Sequence, residues 1–527
     1  MKRSICFVMV CLLSLLTACS GNGAASDKQQ EVDSAVAVSS ASTADLEDGK
    51  ISKDPLKLKI FMHQMNNAYD ANWPIWKKAA EITNISLEGT VAKTATDPAQ
   101  EFNLMIAKKD IPDIVVYTAA EINQYGQEGA FLALDDLIKK DAPNIDKYFS
   151  ENPEIKKQVA APDGKIYRIP VIFEGAVAST WTIRQDWLDK LNLKTPTTVQ
   201  EYHDVLKAFL EKDPNGNGKQ DEVPYFSRSQ QQGITDLLWL YGCRAGFYAD
   251  DNGKIQFGQY SAEYKNAIKN IAQWYKEGLI DKEIFTRGGK ARDILFGDNV
   301  GGSTHDWVTS TSSYNVSLAD KIPGFSLVTI APPANINGVI KEIGARETIG
   351  NNGWAISAGT KYPDEVMKYF DFWFSEQGRM LNNYGILGED YTLVNGVPTY
   401  TDKILKSGNP LNMTMWSIGG SYEIGQTLML SAEMSTMTPQ AAAGVKMYDE
   451  NKYCLSRLPT LSYNTEELNT ITNKNSAIDT YWQETMQSWI FSPDKIDAEF
   501  DKYISTLKGM GMDEVIAAMQ SAYDRMK

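Results

Sequence analysis

Histidine and cysteine are scarce in this chain, with three His and five Cys in 527 residues. His63, His203 and His305 stand too far apart to suggest a zinc site, and His203 falls in a predicted helix where it reads as packed or solvated. The cysteines, at 6, 11, 19, 243 and 454, show neither CxxC spacing nor a disulfide framework. Basic charge is in deficit too: 52 Lys and Arg face 67 Asp and Glu, for a net charge of -15. That balance argues against nucleic-acid binding and against docking on an anionic membrane through a basic face; the acidity serves solubility. Beyond the N-terminus there is no apolar run long enough to span a bilayer and no internal repeat. No motif sets a nucleophile beside a base, or an acid beside a carboxylate at a defined separation.

What is present begins at the N-terminus. Lys2 and Arg3 give a basic start, Ile5 to Leu16 an apolar core and Ala18 the small residue before a cut, the three parts of an export signal. A spanning helix needs about 20 apolar residues, so this stretch is too short to be an anchor in its own right. Leu16-Thr17-Ala18-Cys19 resembles the lipobox of bacterial lipoproteins, which implies a signal peptide over 1–18 and acyl chains on Cys19. The alternative is an ordinary signal peptide that ends near a cysteine. Residues 19–54 then read as a lipidated Cys and a flexible linker, because Ser20 to Asp54 contains no aromatic residue and cannot bury enough surface to order itself. A coil of about 35 residues reaches on the order of 30 Å, enough to float a domain above a bilayer. Loss of Lys2 and Arg3 leaves 50 basic against 67 acidic side chains, a net charge of -17. Cys243 and Cys454 remain, read as two free thiols in preference to a single bridge between them.

The rest of the chain is globular: 43% hydrophobic and 10% aromatic residues suffice for a large core in two or three lobes. Leu56, Leu58, Ile60 and Met62 alternate against Lys57 and Lys59 as a half-buried strand does. A helix over Trp73 to Ile82, a strand around Leu87 to Ala92, a helix capped by Asp97 with Pro98 in its first turn, and a buried strand at Ile114-Val115-Val116 follow. That alternation predicts a doubly wound α/β lobe. Further on, Thr198 and Glu201 form a capping box. A helix through Tyr264, Ile268, Ile271 and Tyr275 ends at Gly278. The stripe Val366, Tyr369, Phe370, Trp373, Phe374 is followed by Gly378 at the place of a C-terminal cap. Two helices, one with Phe500, Ile504 and Leu507 and one with Val515, Ile516 and Met519, close the chain.

The sharpest local motif runs from Asp213 to Glu222. Asp213, Asn215, Asn217 and Asp221 stand at positions 1, 3, 5 and 9, Gly216 at the sharp turn, and the Lys219 carbonyl at position 7, the spacing of an EF-hand calcium loop. Pro224 occupies position 12, so Glu222 has to supply the last carboxylate from position 10. The alternative is a metal-free Gly-Asn turn. With no exchangeable position evident, the expected Ca2+ is structural.

A lipobox, an acidic linker, an opening α/β lobe and this loop together resemble the family 1 extracellular solute-binding proteins of bacterial ABC importers. The likeness covers nearly the whole mature chain and lies nearest the long oligosaccharide-binding type, including alginate-oligosaccharide-binding proteins. Asp163 to Pro170, Trp274 to Asp281 and Gly385 to Tyr391 also carry it, with Arg168 as a departure where the family often has glycine. The resemblance implies an α/β, two-lobed periplasmic-binding-protein-like fold with several interlobe crossovers and extra C-terminal helices. Lobe 1 is expected over 55–175 plus about 345–385. Lobe 2 is expected over about 176–344 plus about 386–527, with the calcium loop 213–222. Crossings are expected near Glu174 to Trp181, near Ser326 to Thr348 and after Tyr384.

Sugar recognition needs flat apolar faces beside planar polar groups. Candidates at strand ends and crossovers are His63, Asn66 and Asn67 after the first strand; Glu174 and Trp181 on the first crossover; Asp306 and Trp307, with His305, in a Gly-Ser-Thr-rich stretch read as a cleft loop; Arg346, with Glu347, and Trp354 near the second; and Tyr384 near the third. A glutamate at the point matching Glu174 contacts sugar in the maltodextrin-binding branch. Arg184, Arg228, Arg244, Arg292 and Arg346 could serve an acidic sugar, but nothing in the sequence places them together. The expected function is capture of an oligosaccharide by a membrane-tethered monomer that delivers it to ABC permease subunits, touching the cell membrane only through its lipid, binding no nucleic acid and catalysing nothing. A peptide or amino-sugar ligand, a sensor role, and a surface glycan hydrolase or lyase are the alternatives.

Overall fold

The structure is a computed structural model that describes residues 49–527 apart from Met65 and Pro410. The expected signal peptide, Cys19 and nearly all of the linker lie outside the described residues. The linker's end is shorter than expected: Lys50 Nζ donates to the Glu81 carbonyl at 2.6 Å, and Ile51 N to the Thr83 carbonyl at 2.9 Å. Ile51 also packs on the first core, an apolar contact that an otherwise polar segment hides from composition.

Along the chain, β1 (Leu56–Phe61), β2 (Ile85–Gly89), β3 (Ile114–Thr118) and β4 (Ile169–Phe173) build a first lobe. Then β5 (Ser179–Arg184), β6 (Val223–Tyr225), β7 (Gly301–Trp307) and β8 (Leu327–Ile330) build a second. The chain returns through β9 (Ile349–Ile356), a hairpin of β10 (Tyr391–Val394) and β11 (Val397–Tyr400), and β12 (Thr427–Leu428). The first sheet has the order β12-β4-β9-β3-β1-β2, with β9 antiparallel to its neighbours; the second has the order β8-β5-β7-β6, with β5 antiparallel to its neighbours. Strand β3 shows why a continuous apolar run marks a central strand: Ile114 and Val116 face one core and Val115 the other.

Local signals act as read in several places. Asp97 Oδ1 accepts from Ala99 N at 3.0 Å and Gln100 N at 3.1 Å, capping Pro98–Lys108. Thr198 Oγ1 accepts from Glu201 N at 3.2 Å, but Glu201 returns to Thr197 N at 2.7 Å, so the box closes one residue early. Gly378 is a correction. The aromatic helix Pro363–Phe374 stops at Ser375, which caps a second helix, Glu376–Tyr384, and Gly378 lies in the first turn of that second helix. A Cβ there would collide with the Phe372 carbonyl, so glycine serves a close approach and not a left-handed cap.

The third crossing is also relocated. Tyr391, Tyr400, Ile404, Met415, Tyr422 and Ile424 share the core of β1, and β12 pairs in parallel with β4, so the chain remains in the first lobe well past Tyr384. It crosses near Leu430–Met434 and reaches the helix Pro439–Glu450, whose Ala441, Val445 and Tyr448 pack with Val177 and Val308. The closing helices Thr465–Phe491, Ile496–Gly509 and Met512–Met526 join the second-lobe core around Ala262–Lys276. The crossing segments are laced together. Phe173 N donates to the Thr348 carbonyl at 2.8 Å, Arg346 N to the Ala176 carbonyl at 2.7 Å, and Glu174 N to the Leu428 carbonyl at 3.1 Å.

Candidate functional site

At the carboxyl edge of the first sheet, β1 delivers His63, which is buried and donates from Nε2 to the Ala95 carbonyl at 2.9 Å. Asn66 is exposed in a left-handed turn with φ 61°, and Asn67 hydrogen-bonds Tyr422. Beside them lies a polar cluster that sequence reasoning missed. Gln64 Nε2 donates to the Glu423 carbonyl at 2.8 Å, while Gln64 Oε1 is buried without a partner. Asn352 Nδ2 donates to Glu423 Oε2 at 3.2 Å, and burial raises the Glu423 carboxyl above its usual range. These residues come from three distant segments, and no local spacing connects them.

The second sheet presents its own edge. His305, Asp306 and Trp307 are the end of strand β7 and not a loop; β5 and β6 flank it. The Gly-Ser-Thr content that suggested a loop instead lets the strand pack tightly: a Cβ at Gly302 would meet Phe209, the Pro224 carbonyl and Trp187. Asp306 is buried and receives Arg228 Nε at 3.1 Å, Arg292 Nη1 at 3.0 Å and Trp307 N at 2.7 Å. Trp307 is 57% exposed, with the Arg228 guanidinium 5.8 Å from its ring. His305 is clamped between Asp236 at 3.1 Å and Glu342 at 3.0 Å. Burial alone would lower its pKa, but Glu342 and Asp236 together outweigh that and hold the imidazole protonated.

Between the lobes, a cavity of about 930 Å³ is walled by the Pro143–Glu151 and Pro153–Val159 helices, the end of β4, the crossing segments and residues 454–460. Of the expected ligand residues it contains Glu174 and Arg346, together with Glu347. Glu174 is ion-paired with Arg379, and Arg346 makes a two-pronged pair with Glu433 at 2.8 Å on both prongs. Arg168, Arg379 and Arg457, none of them expected to meet there, line the same space. Three expected aromatics are corrected. Trp354 is fully buried in β9 and stacked on Phe370 at 4.4 Å; Trp181 is buried against Tyr202 and His305; Tyr384 is buried against Tyr391 and Tyr400. Their ring faces are spent on the cores, and a strand or helix inside a core looks, in sequence, much like one that ends at a cleft.

The Asp213–Glu222 loop has the expected turn: Asp213, Gly216 and Gly218 take positive φ. Asp213 Oδ1 accepts from Gly216 N at 2.8 Å and Asn217 N at 3.0 Å, and Asp213 Oδ2 accepts from Gly218 N at 3.0 Å. Asn215 and Asn217 turn their amide groups onto Asp221 at 3.1 and 3.0 Å. Among the described residues no three acidic, His or Cys side chains form a ready-made metal cage. Glu222 nevertheless is 5% exposed, and neither carboxylate oxygen has a hydrogen-bond partner. Burial, then Asp213 and Asp221, push its carboxyl up; its own and Asn215's backbone N–H groups offset part of this without bonds of full geometry.

The family model of bacterial extracellular solute-binding proteins matches residues 66–380. The chain belongs to that family. Over 469 residues it is 28% identical to the fructooligosaccharide ABC transporter substrate-binding protein FusA of Streptococcus pneumoniae, covering 82% of this chain and 83% of FusA. It is 27% identical to the polygalacturonan/rhamnogalacturonan-binding protein YtcQ of Bacillus subtilis over 60% of this chain and 63% of YtcQ. Among solved structures, the alginate-binding protein AlgQ2 without calcium ion aligns with TM-score 0.78 and 39% identity, covering 91% of this chain and all 100% of AlgQ2. In this solute-binding protein no helix among the described residues is long and apolar enough to cross a membrane.

Proposed function

We propose that this protein captures an oligosaccharide between its lobes and delivers it to an ABC permease, held at the membrane by a lipid on Cys19. The observation that carries the reading is the cavity of about 930 Å³ walled by both lobes and their crossings, in a chain similar to proteins named for binding fructooligosaccharide, polygalacturonan and alginate. At the sheet edges, the exposed indole of Trp307 supplies a stacking face, and Arg228, Gln64, Asn352 and Glu423 supply planar polar groups. His63, Asn66 and Asn67 follow β1 at the carboxyl edge of the first sheet. A thermal-shift screen over a glycan panel tests this: ligand at 100 times its Kd adds about 2.7 kcal/mol of stability. Recovery of the bound glycan intact is expected; shorter products would replace the binding role with turnover.

The same reading gives Asp213, Asn215, Asn217, Asp221, Glu222 and the Lys219 carbonyl the task of holding a structural Ca2+. The donors fit, because all are oxygen and Glu222 is a buried carboxylate with no counter-charge, a group that a hard cation would stabilise. When bound, the ion supplies a cross-link between the end of the Val199–Glu211 helix and the start of β6. Resemblance between AlgQ2 and this chain, and a FusA structure described as an EF-hand mutant, add support. A chelator is expected to lower the melting temperature of the ligand-free protein.

A further inference from the structure

Exposed aliphatic side chains are concentrated in one short stretch of the first lobe. Leu393, Val394 and Val397 are each more than half exposed, as is Leu387 just before them. The first three belong to the β10–β11 hairpin, whose residues Tyr391 to Tyr400 include no charged side chain in a chain that is 23% charged. Asn395 and Gly396 take φ 53° and 81°, so a two-residue turn that matches the twist of the strands holds the tip rigid. Cross-strand partners alternate between faces: Val394 stands opposite Val397 on one face, and Leu393 opposite Pro398 on the other. The tip is therefore apolar on both sides. Tyr391 and Tyr400 anchor the base of the hairpin against Tyr384, and burial ends there.

Two observations narrow what covers this tip. A flat protein surface needs one apolar face, whereas a wedge that is apolar on both faces is buried by a medium that surrounds it, as the boundary between headgroups and acyl chains of a bilayer does. The chain outside the described residues also ends on this part of the lobe. A Cβ on Gly49 would lie 4.0 Å from Gln377 Oε1, in the first turn of the helix Glu376–Tyr384 whose last residue packs on the hairpin base. Such a helix is about 14 Å long and such a hairpin about 13 Å, so the tip lies within about 30 Å of Gly49. The stretch from Cys19 to Gly49, as a coil of about 30 residues, has a reach on the order of 30 Å as well. A lipid on Cys19 thus brings the tip to the bilayer at an effective concentration that makes even a weak partition count. We propose that the β10–β11 hairpin is a second, reversible membrane contact, which inserts Leu393, Val394 and Val397 into the lipid interface and fixes the face of the first lobe that lies against the membrane. This inference rests on the tethered reading above and not on the identity of the glycan.

The test is sedimentation of the mature chain, residues 19–527 with C19S, with protein-free vesicles of phosphatidylethanolamine and phosphatidylglycerol at millimolar lipid. This chain carries neither signal peptide nor acyl group, so binding reports the body alone. The expected result is a weak association that the triple variant L393S/V394S/V397S reduces about tenfold or more, with the melting temperature unchanged because all three side chains are exposed. Since the chain is net negative, added salt is expected to leave binding unchanged or to strengthen it. Equal association of the two chains, association lost in salt, or no association unless permease subunits are added to the vesicles would overturn the membrane contact. A dimer in analytical ultracentrifugation that the triple variant dissociates would overturn it too, because a second copy would then cover the tip. Each of these outcomes leaves the acyl anchor and oligosaccharide capture standing. A wild-type Cys19 without acyl chains, read by mass spectrometry, would overturn the tether and with it the contact in the cell.

Discussion

Single residues decide how charge is stored in this molecule. His305 sits between two buried carboxylates, and replacing it with Gln strands both; breaking such a buried pair costs about 3–5 kcal/mol. Because its pKa is raised well above 6.5, its contribution is fully present below that pH and is lost only as pH rises through the higher folded value. Melts of wild type and H305Q are therefore expected to differ most in acid and neutral buffer and to converge in alkali. Asp371 loses stability in the same direction for a different reason. It accepts from Asn144 N at 2.8 Å and Ile145 N at 2.9 Å, yet burial raises it from 3.8 to about 6. The folded protein then holds more protons than the unfolded chain in that interval, so stability falls as pH rises from 3.8 to about 6. D371N is expected to remove this slope in denaturant titrations. On the proposed role of its exposed ring, W307A is expected to weaken glycan binding about tenfold, near 1.4 kcal/mol, with little change in melting temperature, because the indole is 57% exposed.

Among the elements, junctions carry more information than interiors. The Pro363–Phe374 and Glu376–Tyr384 helices meet so closely that Gly378 has no room for a methyl group. G378A is expected to cost about 1–3 kcal/mol by chemical denaturation, as overpacking does. The aromatic stripe was legible as a helix, whereas the turn after it was not, since Ser375 ends one helix by capping the next. The Asp213–Glu222 loop is the reverse case: its residue spacing is local and its turn was legible. D213N is expected to lower the melting temperature in calcium and to abolish any further shift on adding chelator.

For the whole molecule, the last helix belongs to a core assembled from the middle of the chain. Met512, Val515 and Ala522 are fully buried beside Tyr264 and Ile268, and Arg525 ties the helix to Glu467. Truncation after Gly511 is expected to abolish cooperative thermal unfolding of the second lobe, measured by calorimetry. Alternating strands, helix caps and the oxygen spacing of the Asp213–Glu222 loop are set by neighbours within a few residues, and the sequence by itself determined them, along with the family. Which aromatics face a ligand, where the third crossing runs, and which arginines share a cavity depend on contacts between segments hundreds of residues apart. Trp354 and Trp307 are both tryptophans on strands; only packing buries one against Phe370 and leaves the other exposed. Arg168 read as a minor departure from a pattern until the fold placed it, unpaired, in the wall between the lobes.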